Sequence, residues 1–426
     1  MGYHPTIEKR CCTSFPIDHS VPYNMQSTTC YFAKESTLTM NNRLITRMQN
    51  LLGIIMILLG LQSYSLIAAE VLIPASPSIA AKSYFLQDYD SGQILVEHNA
   101  DLRLAPASLT KIMTVYVVLR EMNNGNLTLD EKTRISEKAW RTPGSRMFVE
   151  VNDMVAIKDL LRGVIIQSGN DATVALAEHV AGNEATFAEL MNQHAARLGM
   201  VNTHFTDSNG LPAPEHFSTA RDLSMLTKAM IMEFPAYYAW FAEKEFTYNK
   251  ISQPNRNKLL WRDPSVDGVK TGYTEDAGYC LVASAIRNKM RLISVVMGTK
   301  SVKARTNETQ SLLNYGFRFF ETHRLYSAGE SLTESKVWKG DSDQVNMGLH
   351  EDLYVTVPRR HYGDLKAMMS IDNTIMAPIA KGQVFGSVVV SLGDKALVKK
   401  PLVALSAVAE GSIIQQFFDE ALLSFE

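Results

Sequence analysis

Val266-Asp-Gly-Val-Lys-Thr271, Tyr279-Cys-Leu-Val-Ala-Ser-Ala-Ile286 and Arg291-Leu-Ile-Ser-Val-Val-Met297 are three short runs rich in aliphatic and β-branched residues. Their length and composition predict strands, and the short gaps between them predict antiparallel neighbours. Val302–Phe320 follows with apolar residues near a 3.6-residue period, the mark of an amphipathic helix. Upstream, Ser83-Tyr-Phe-Leu-Gln-Asp-Tyr89, the turn Asp90-Ser-Gly92 and Gln93-Ile-Leu-Val-Glu97 read as a β-hairpin. Between hairpin and strands lie helical patterns over Ser108–Met122, Ile157–Ile166, Asp171–Val180, Glu184–Leu198 and Arg221–Met232. A hairpin, a helix cluster, three strands and a last helix predict an α+β fold with helices packed on an antiparallel sheet.

Beyond about residue 325 the pattern changes. Asp352–Pro358, Leu365–Ile371, Gln383–Leu392 and Ala396–Leu405 are strand candidates separated by Gly, Asp and Pro, which predicts a small all-β domain over 326–408. Trp338 and Tyr354 are expected in its core. The tail from 409 to 426 places Ile413, Ile414, Phe417, Phe418, Ala421, Leu422 and Phe425 on one helical stripe. Such a helix either docks on its own protein or lies in a membrane interface, and we read the membrane. Against that reading stand Asp419 and Glu420 on its polar face, where anionic lipid prefers Lys or Arg.

The first seventy residues differ again. Arg43 and Arg47 precede the apolar run Leu51–Leu61, and small residues Ala68 and Ala69 stand before Glu70. This is a secretory signal pattern over 40–69, too short for the roughly 20 residues of a spanning helix. The rival is an uncleaved N-terminal anchor. Because signals sit at an N-terminus, Met40 is expected to be the true start and 1–39 an upstream extension. Cleavage near Ala69 would leave Cys280 as the single cysteine, so no internal disulfide is expected. The whole chain, 426 residues with 46% hydrophobic and 20% charged content, is that of a globular protein with full cores. Its net charge of −2 gives no basic excess for nucleic acid.

Three motifs carry the chemistry, in order: Ser108-Leu-Thr-Lys111, Ser168-Gly-Asn170 and Lys270-Thr-Gly272. Singly they are weak, since Ser-x-x-Lys is expected roughly once or twice by chance in a chain this long and Lys-Thr-Gly about 0.1 times. Their settings add weight. Ser108 follows Pro106-Ala107 at an expected helix start, near the positive end of the helix dipole. Lys111 lies three residues on, on the same face. A lysine in a closed site loses its proton readily and activates a serine. Ser168-Gly-Asn170 falls on a loop between helices. Lys270-Thr-Gly272 ends a strand-like run, where a cation and backbone donors receive an anionic group and glycine allows close approach.

The order matches the motif set of penicillin-binding proteins and serine β-lactamases. Pro106-Ala-Ser-Leu-Thr-Lys111, Gln167-Ser-Gly-Asn-Asp-Ala172, Asn255-Arg-Asn257, Asp267-Gly-Val-Lys-Thr-Gly272 and Arg291-Leu-Ile-Ser-Val-Val-Met-Gly298 closely resemble low-molecular-mass penicillin-binding proteins. The subgroup is the D-alanyl-D-alanine carboxypeptidases of Gram-negative bacteria, with resemblance from about Ala80 to the end. It implies a catalytic domain over 70–325 and no cofactor or metal. Ser108 would attack the peptide bond between the last two D-alanines of a peptidoglycan stem pentapeptide, with Lys111 as general base. Ser168 would relay a proton to the leaving amine, and Asn170 would hold the substrate amide or Lys111. Lys270 and Thr271, with Arg305 or Arg256, would bind the terminal carboxylate beside Gly272. The N–H groups of Ser108 and Tyr273 would form the oxyanion hole. β-Lactam antibiotics would acylate the same serine, and the protein would sit in the periplasm on the inner membrane.

Two departures qualify the resemblance. Tyr273 stands where family members commonly carry histidine, and the loop Trp140–Met147, expected beside the cleft, is shorter. A β-lactamase is disfavoured by the lack of a Glu-x-x-Leu-Asn segment and by Ser168-Gly-Asn170 in place of Ser-Asp-Asn. A D,D-endopeptidase remains an alternative, as does a non-catalytic cell-wall scaffold, which would need no activated nucleophile. His194, His204 and His216 lack zinc-site spacing and read as surface or core residues.

Overall fold

The computed structural model describes residues 73–424, together with the backbone of Cys11 and Cys12. The expected signal segment 40–69, its cleavage point and the rest of 1–39 lie outside the described residues.

Five antiparallel strands form the first sheet: β1 (Ser83–Asp88), β2 (Ile94–His98), β3 (Val266–Thr274), β4 (Gly278–Arg287) and β5 (Met290–Thr299), in the order β2-β1-β5-β4-β3. Side chains alternate across it as a period of two requires. Cys280, Val282, Ile293, Val295 and Met297 join one core cluster, and Leu281, Ala283, Leu292 and Val296 join another on the opposite face. Burial on both faces is why β4 and β5 read as nearly continuous apolar runs.

The larger cluster lies beneath the helices α1 (Lys111–Asn123), α2 (Ile157–Arg162), α3 (Asn170–Ala181), α4 (Glu184–Arg197) and α5 (Ala220–Glu233). Helix α1 is buried along its first nine residues, from Lys111 to Leu119, so it is the central post of this layer. The other face is covered by α6 (Val302–Phe319), capped where the Ser301 side chain accepts from Ala304 N. Its Leu312, Leu313 and Phe317 fill the second cluster. The expected helices all form, but the pattern over 157–166 divides. Helix α2 stops at Arg162, and Gly163–Gln167 winds as a π-turn.

The second part is all β: β6 (Phe320–Tyr326), β7 (Thr333–Lys336), β8 (Gln344–Gly348), β9 (Leu353–Pro358), β10 (Leu365–Ile371), β11 (Val384–Leu392) and β12 (Lys395–Ala404). Strands β10-β11-β12-β8-β7 make one sheet, and the Cys11–Cys12 backbone pairs outside β10. Strands β6 and β9 make a separate pair. Val345, Met347, Val355, Val388, Val390 and Leu402 form their shared core. Trp338 is buried, as expected, with the Lys336 ammonium 3.3 Å over its ring, whereas Tyr354 is only partly buried. Strands β6, β7 and β8 were not legible in the sequence, since Phe320-Glu-Thr-His-Arg-Leu-Tyr326 and Thr333-Glu-Ser-Lys336 carry charges on partly exposed faces.

Helix α7 (Ile413–Leu423) closes the described chain, capped by Ser412, whose side chain accepts from Gln415 N. Its polar face is turned to the β-domain. Asp419 accepts the Lys339 backbone N–H at 2.5 Å, Glu420 pairs with the Lys339 ammonium at 3.0 Å, and Gln415 donates to Asp343. Its apolar stripe points outward, with Ile413 85%, Phe417 75% and Phe418 65% exposed. Of the two acidic side chains that argued against a lipid surface, Asp419 is therefore committed to the protein, while Glu420 stays 73% exposed in its ion pair.

Candidate active site

Ser108 lies in a short 3-10 turn, Ala107–Thr110, that leads directly into α1. Its Oγ accepts a hydrogen bond of 3.0 Å from Lys111 Nζ. The lysine is fully buried, whereas the serine is partly open to solvent. The turn is wedged between two glycines. A Cβ on Gly210, at φ +86°, would stand 1.9 Å from the Ala107 carbonyl oxygen, and one on Gly272 would stand 2.9 Å from that of Pro106. Both backbones approach the Ser108 turn more closely than any side chain allows.

Burial drives the Lys111 pKa down to about 7, with the Arg256 cation acting the same way and Asp207, Asp171 and Glu184 opposing it. Lys111 Nζ has one further partner, the backbone carbonyl of Asn209 at 2.5 Å. Sequence reasoning missed this group, because a carbonyl carries no residue-type signature. The only available signal was the turn-prone string Asp207-Ser-Asn-Gly210.

Ser168 ends the π-turn in a left-handed conformation, φ 65° and ψ 32°, and Asn170 begins α3. A non-glycine residue held in that region is strained, and π-turns concentrate at functional sites. Ser168 Oγ accepts from Lys270 Nζ at 2.7 Å. Asn170 Nδ2 donates to the Pro143 carbonyl at 2.6 Å, while its buried Oδ1 has no protein partner. The next residue, Asp171, accepts the backbone N–H groups of Met147 and Phe148 at 2.8 and 2.9 Å. The loop around Trp140–Met147 is thereby pinned beside Asn170, where it was expected.

Lys270-Thr-Gly272 does not end its strand: β3 continues to Thr274. The motif lies within the outer strand of the sheet, whose free edge runs beside the Ser108 turn. Burial, then the Lys111, Arg256 and Arg305 cations, press the Lys270 ammonium well below the usual lysine range. Thr271 is buried, and Tyr273 is 49% exposed, its ring 4.3 Å from that of Tyr279. Arg256 is exposed and donates through Nε to the Gln167 carbonyl at 3.0 Å. Arg305 is buried behind the strand, where Nη1 donates to the Gly272 and Cys280 carbonyls at 3.0 and 3.4 Å. Cys280 is a buried free thiol, its pKa raised by burial to about 11.

The structure thus joins the three motifs in one cleft as two hydrogen-bonded pairs, Ser108–Lys111 and Ser168–Lys270, with the Arg256 and Arg305 cations beside Lys270. It also places Asp207 and His216 behind Lys111; His216 is buried in a polar network rather than at the surface.

The comparisons agree with this geometry. Residues 70–301 match the family model described as D-alanyl-D-alanine carboxypeptidase, and 320–410 match that of the penicillin-binding protein 5 C-terminal domain. The chain is 46% identical over 366 residues to D-alanyl-D-alanine carboxypeptidase DacC of Escherichia coli strain K12, covering 84% of this chain and 91% of that protein. Penicillin binding protein 5 from Haemophilus influenzae superposes with a TM-score of 0.77 at 44% identity, over 79% of this chain and 100% of that one. Penicillin-binding protein D2 from Listeria monocytogenes, solved in an ampicillin-bound form, superposes at 0.53 with 30% identity, over 57% of this chain and all of its own. With motifs, fold and relatives in agreement, the chain belongs to the D-alanyl-D-alanine carboxypeptidase family and is a serine DD-carboxypeptidase that acts on peptidoglycan.

Proposed function

We propose that this chain removes the terminal D-alanine of stem pentapeptides through an acyl-enzyme on Ser108. The observation that carries the reading is the pairing of a reachable Ser108 Oγ with a buried Lys111 amine 3.0 Å away, whose pKa stands near 7. Neutral Lys111 takes the hydroxyl proton as Ser108 Oγ attacks the penultimate D-alanine carbonyl. The C–N bond breaks as the proton taken by Lys111 is relayed through Ser168 to the departing D-alanine amine, which leaves Lys111 neutral again, and water then hydrolyses the ester. The N–H groups of Ser108 and Tyr273 receive the developing oxyanion, a role in which one donor is worth about 10²–10³ in rate.

The cation cluster selects the substrate's end. Lys270, with Thr271 beside it, receives the terminal carboxylate, while Arg256 and Arg305 add positive field. Arg305 also holds the strand through the Gly272 carbonyl. A bound carboxylate relieves the repulsion among Lys270, Arg256 and Arg305. The unpaired Asn170 Oδ1 accepts the substrate amide N–H or a Lys111 proton. The extended peptide lies along the free edge of β3, as strand-edge recognition favours. β-Lactams, which mimic the acyl-D-Ala-D-Ala end, acylate the same serine. By consuming pentapeptide donors the enzyme regulates cross-linking and cell shape.

The segment 40–69 directs export to the periplasm, and α7 anchors the protein on the outer face of the inner membrane with its exposed apolar stripe. Among the described residues no helix is long and apolar enough to cross a membrane. The test of the catalytic reading is D-alanine release from diacetyl-Lys-D-Ala-D-Ala by the chain and by Ser108→Ala. Release that vanishes in the variant supports it. Fast penicillin hydrolysis without D-alanine release would replace it with a β-lactamase.

A further inference from the structure

The loop that offers its carbonyl to Lys111 is itself held by a network the mechanism above does not use. One oxygen of Asp207 accepts the backbone N–H groups of Asn209 and Gly210 at 2.9 and 2.6 Å. Its other oxygen lies 3.2 Å from Nδ1 of His216. Nε2 of the same ring is 2.8 Å from Oγ1 of Thr110, the residue before Lys111. Carboxylate, imidazole and hydroxyl therefore run from the Asn209 turn back to the start of α1. A second tie closes the loop onto that helix, since Thr114 Oγ1 donates to the Ser208 carbonyl at 2.5 Å. His216 is 4% exposed, and its ring meets Phe205 edge-on.

A histidine that merely satisfied its own nitrogens in a core could do so anywhere. Here two of the partners, Asp207 and Thr110, belong to the two peptide segments that touch Lys111. We propose that Asp207 and His216 are positioning residues for the general base: through Thr110 they clamp the Asn209 carbonyl onto Lys111 Nζ, so that the neutral amine donates to that carbonyl and aims its lone pair at Ser108. This rests on the reading of Lys111 as general base.

The carboxylate acts through space as well. Asp207, Asp171 and Glu184 favour the charged form of Lys111, against burial and the Arg256 cation, and Lys270 is the other cation beside it. Around His216 the charged neighbour is Asp207, and the polar ones are Thr110 and Thr206. Thr206 N–H and Oγ1 lie 3.2 and 3.1 Å from Nδ1. A protonated Nδ1 therefore donates to Asp207, and a bare one accepts from Thr206.

The experiment compares the full chain with Asp207→Asn, His216→Gln, His216→Ala and Lys111→Ala. It reads single-turnover acylation by labelled penicillin across pH, kcat and KM for diacetyl-Lys-D-Ala-D-Ala, and thermal melting. Asp207→Asn keeps an oxygen for the turn but loses the charge, so the acid limb of acylation moves down by about 0.5–1 pH unit. His216→Ala lowers kcat roughly tenfold or more with little change in KM, because the base is misplaced rather than the substrate. His216→Gln, which keeps a polar bridge, recovers much of that loss. An unmoved acid limb in a normally melting Asp207→Asn overturns the proposal, as does a His216→Ala loss that glutamine does not rescue. Should His216→Ala fail to fold, Asp207→Asn and His216→Gln carry the test. Lys111→Ala separates the two readings. Undiminished acylation there sinks the base itself, whereas loss there with normal Asp207 and His216 variants sinks only the clamp.

Discussion

Acylation of Ser108 should titrate near neutral pH. A solvated lysine has a pKa of about 10.4, so at pH 7 only about one in 2,500 would be neutral. Full burial of Lys111 brings its pKa to about 7, which makes about half the molecules competent at that pH. The competent fraction thus rises roughly a thousandfold, a gain partly offset by the weaker basicity of the low-pKa amine. With the neutral amine as the proposed base and burial disfavouring the cation, the rate should climb with pH and level off above neutrality. Below the midpoint the neutral fraction falls to about a tenth at pH 6 and about a hundredth at pH 5. The assay is single-turnover labelling by a fluorescent penicillin under limiting antibiotic, whose second-order constant reports groups of the free enzyme. A profile that is flat from pH 5 to 8, or whose midpoint lies near 10, would refute the reasoning that burial prepares Lys111.

Gly210→Ala should cost about 2–4 kcal/mol, read as a lower denaturant midpoint, because its Cβ would collide with the Ala107 carbonyl at a positive φ; an unchanged midpoint would mean that the loop does not bear on the nucleophile's turn. Ser168→Ala removes the Oγ that lies 2.7 Å from Lys270, and D-alanine release should fall by about 10² or more while the fold stays intact. Activity within a few fold of the parent would take Ser168 out of the proton path. Ile414→Glu with Phe417→Glu, on the outward stripe of α7, should weaken sedimentation with phosphatidylglycerol vesicles by about a hundredfold. Undiminished binding would end the anchor proposal.

Strands β4 and β5 were legible because both faces are buried, which leaves long aliphatic runs such as Arg291–Met297 with little ambiguity, whereas the hairpin was legible from its Asp90-Ser-Gly92 turn, since β2 is largely exposed. The Ser108–Lys111 pair was legible from local geometry, since three residues along a helical turn face one way. Ser168 was placed on the right loop, but its left-handed backbone follows from the π-turn before it, which no residue type announces. The Lys111–Asn209 and Thr110–His216 contacts were hidden for a different reason: they join segments about a hundred residues apart in sequence. Arg305 was expected beside a carboxylate, and only the fold places its guanidinium behind β3 on two backbone carbonyls. For α7 the stripe was plain, while the role of Asp419 and Glu420 needed Lys339 in view.

The most direct test of the central claim is to react the full chain with labelled penicillin and map the adduct by peptide mass. The account predicts a single penicilloyl group on the peptide that contains Ser108, at its hydroxyl, and none in Ser108→Ala. An adduct on Ser168, or one that persists in Ser108→Ala, would contradict it.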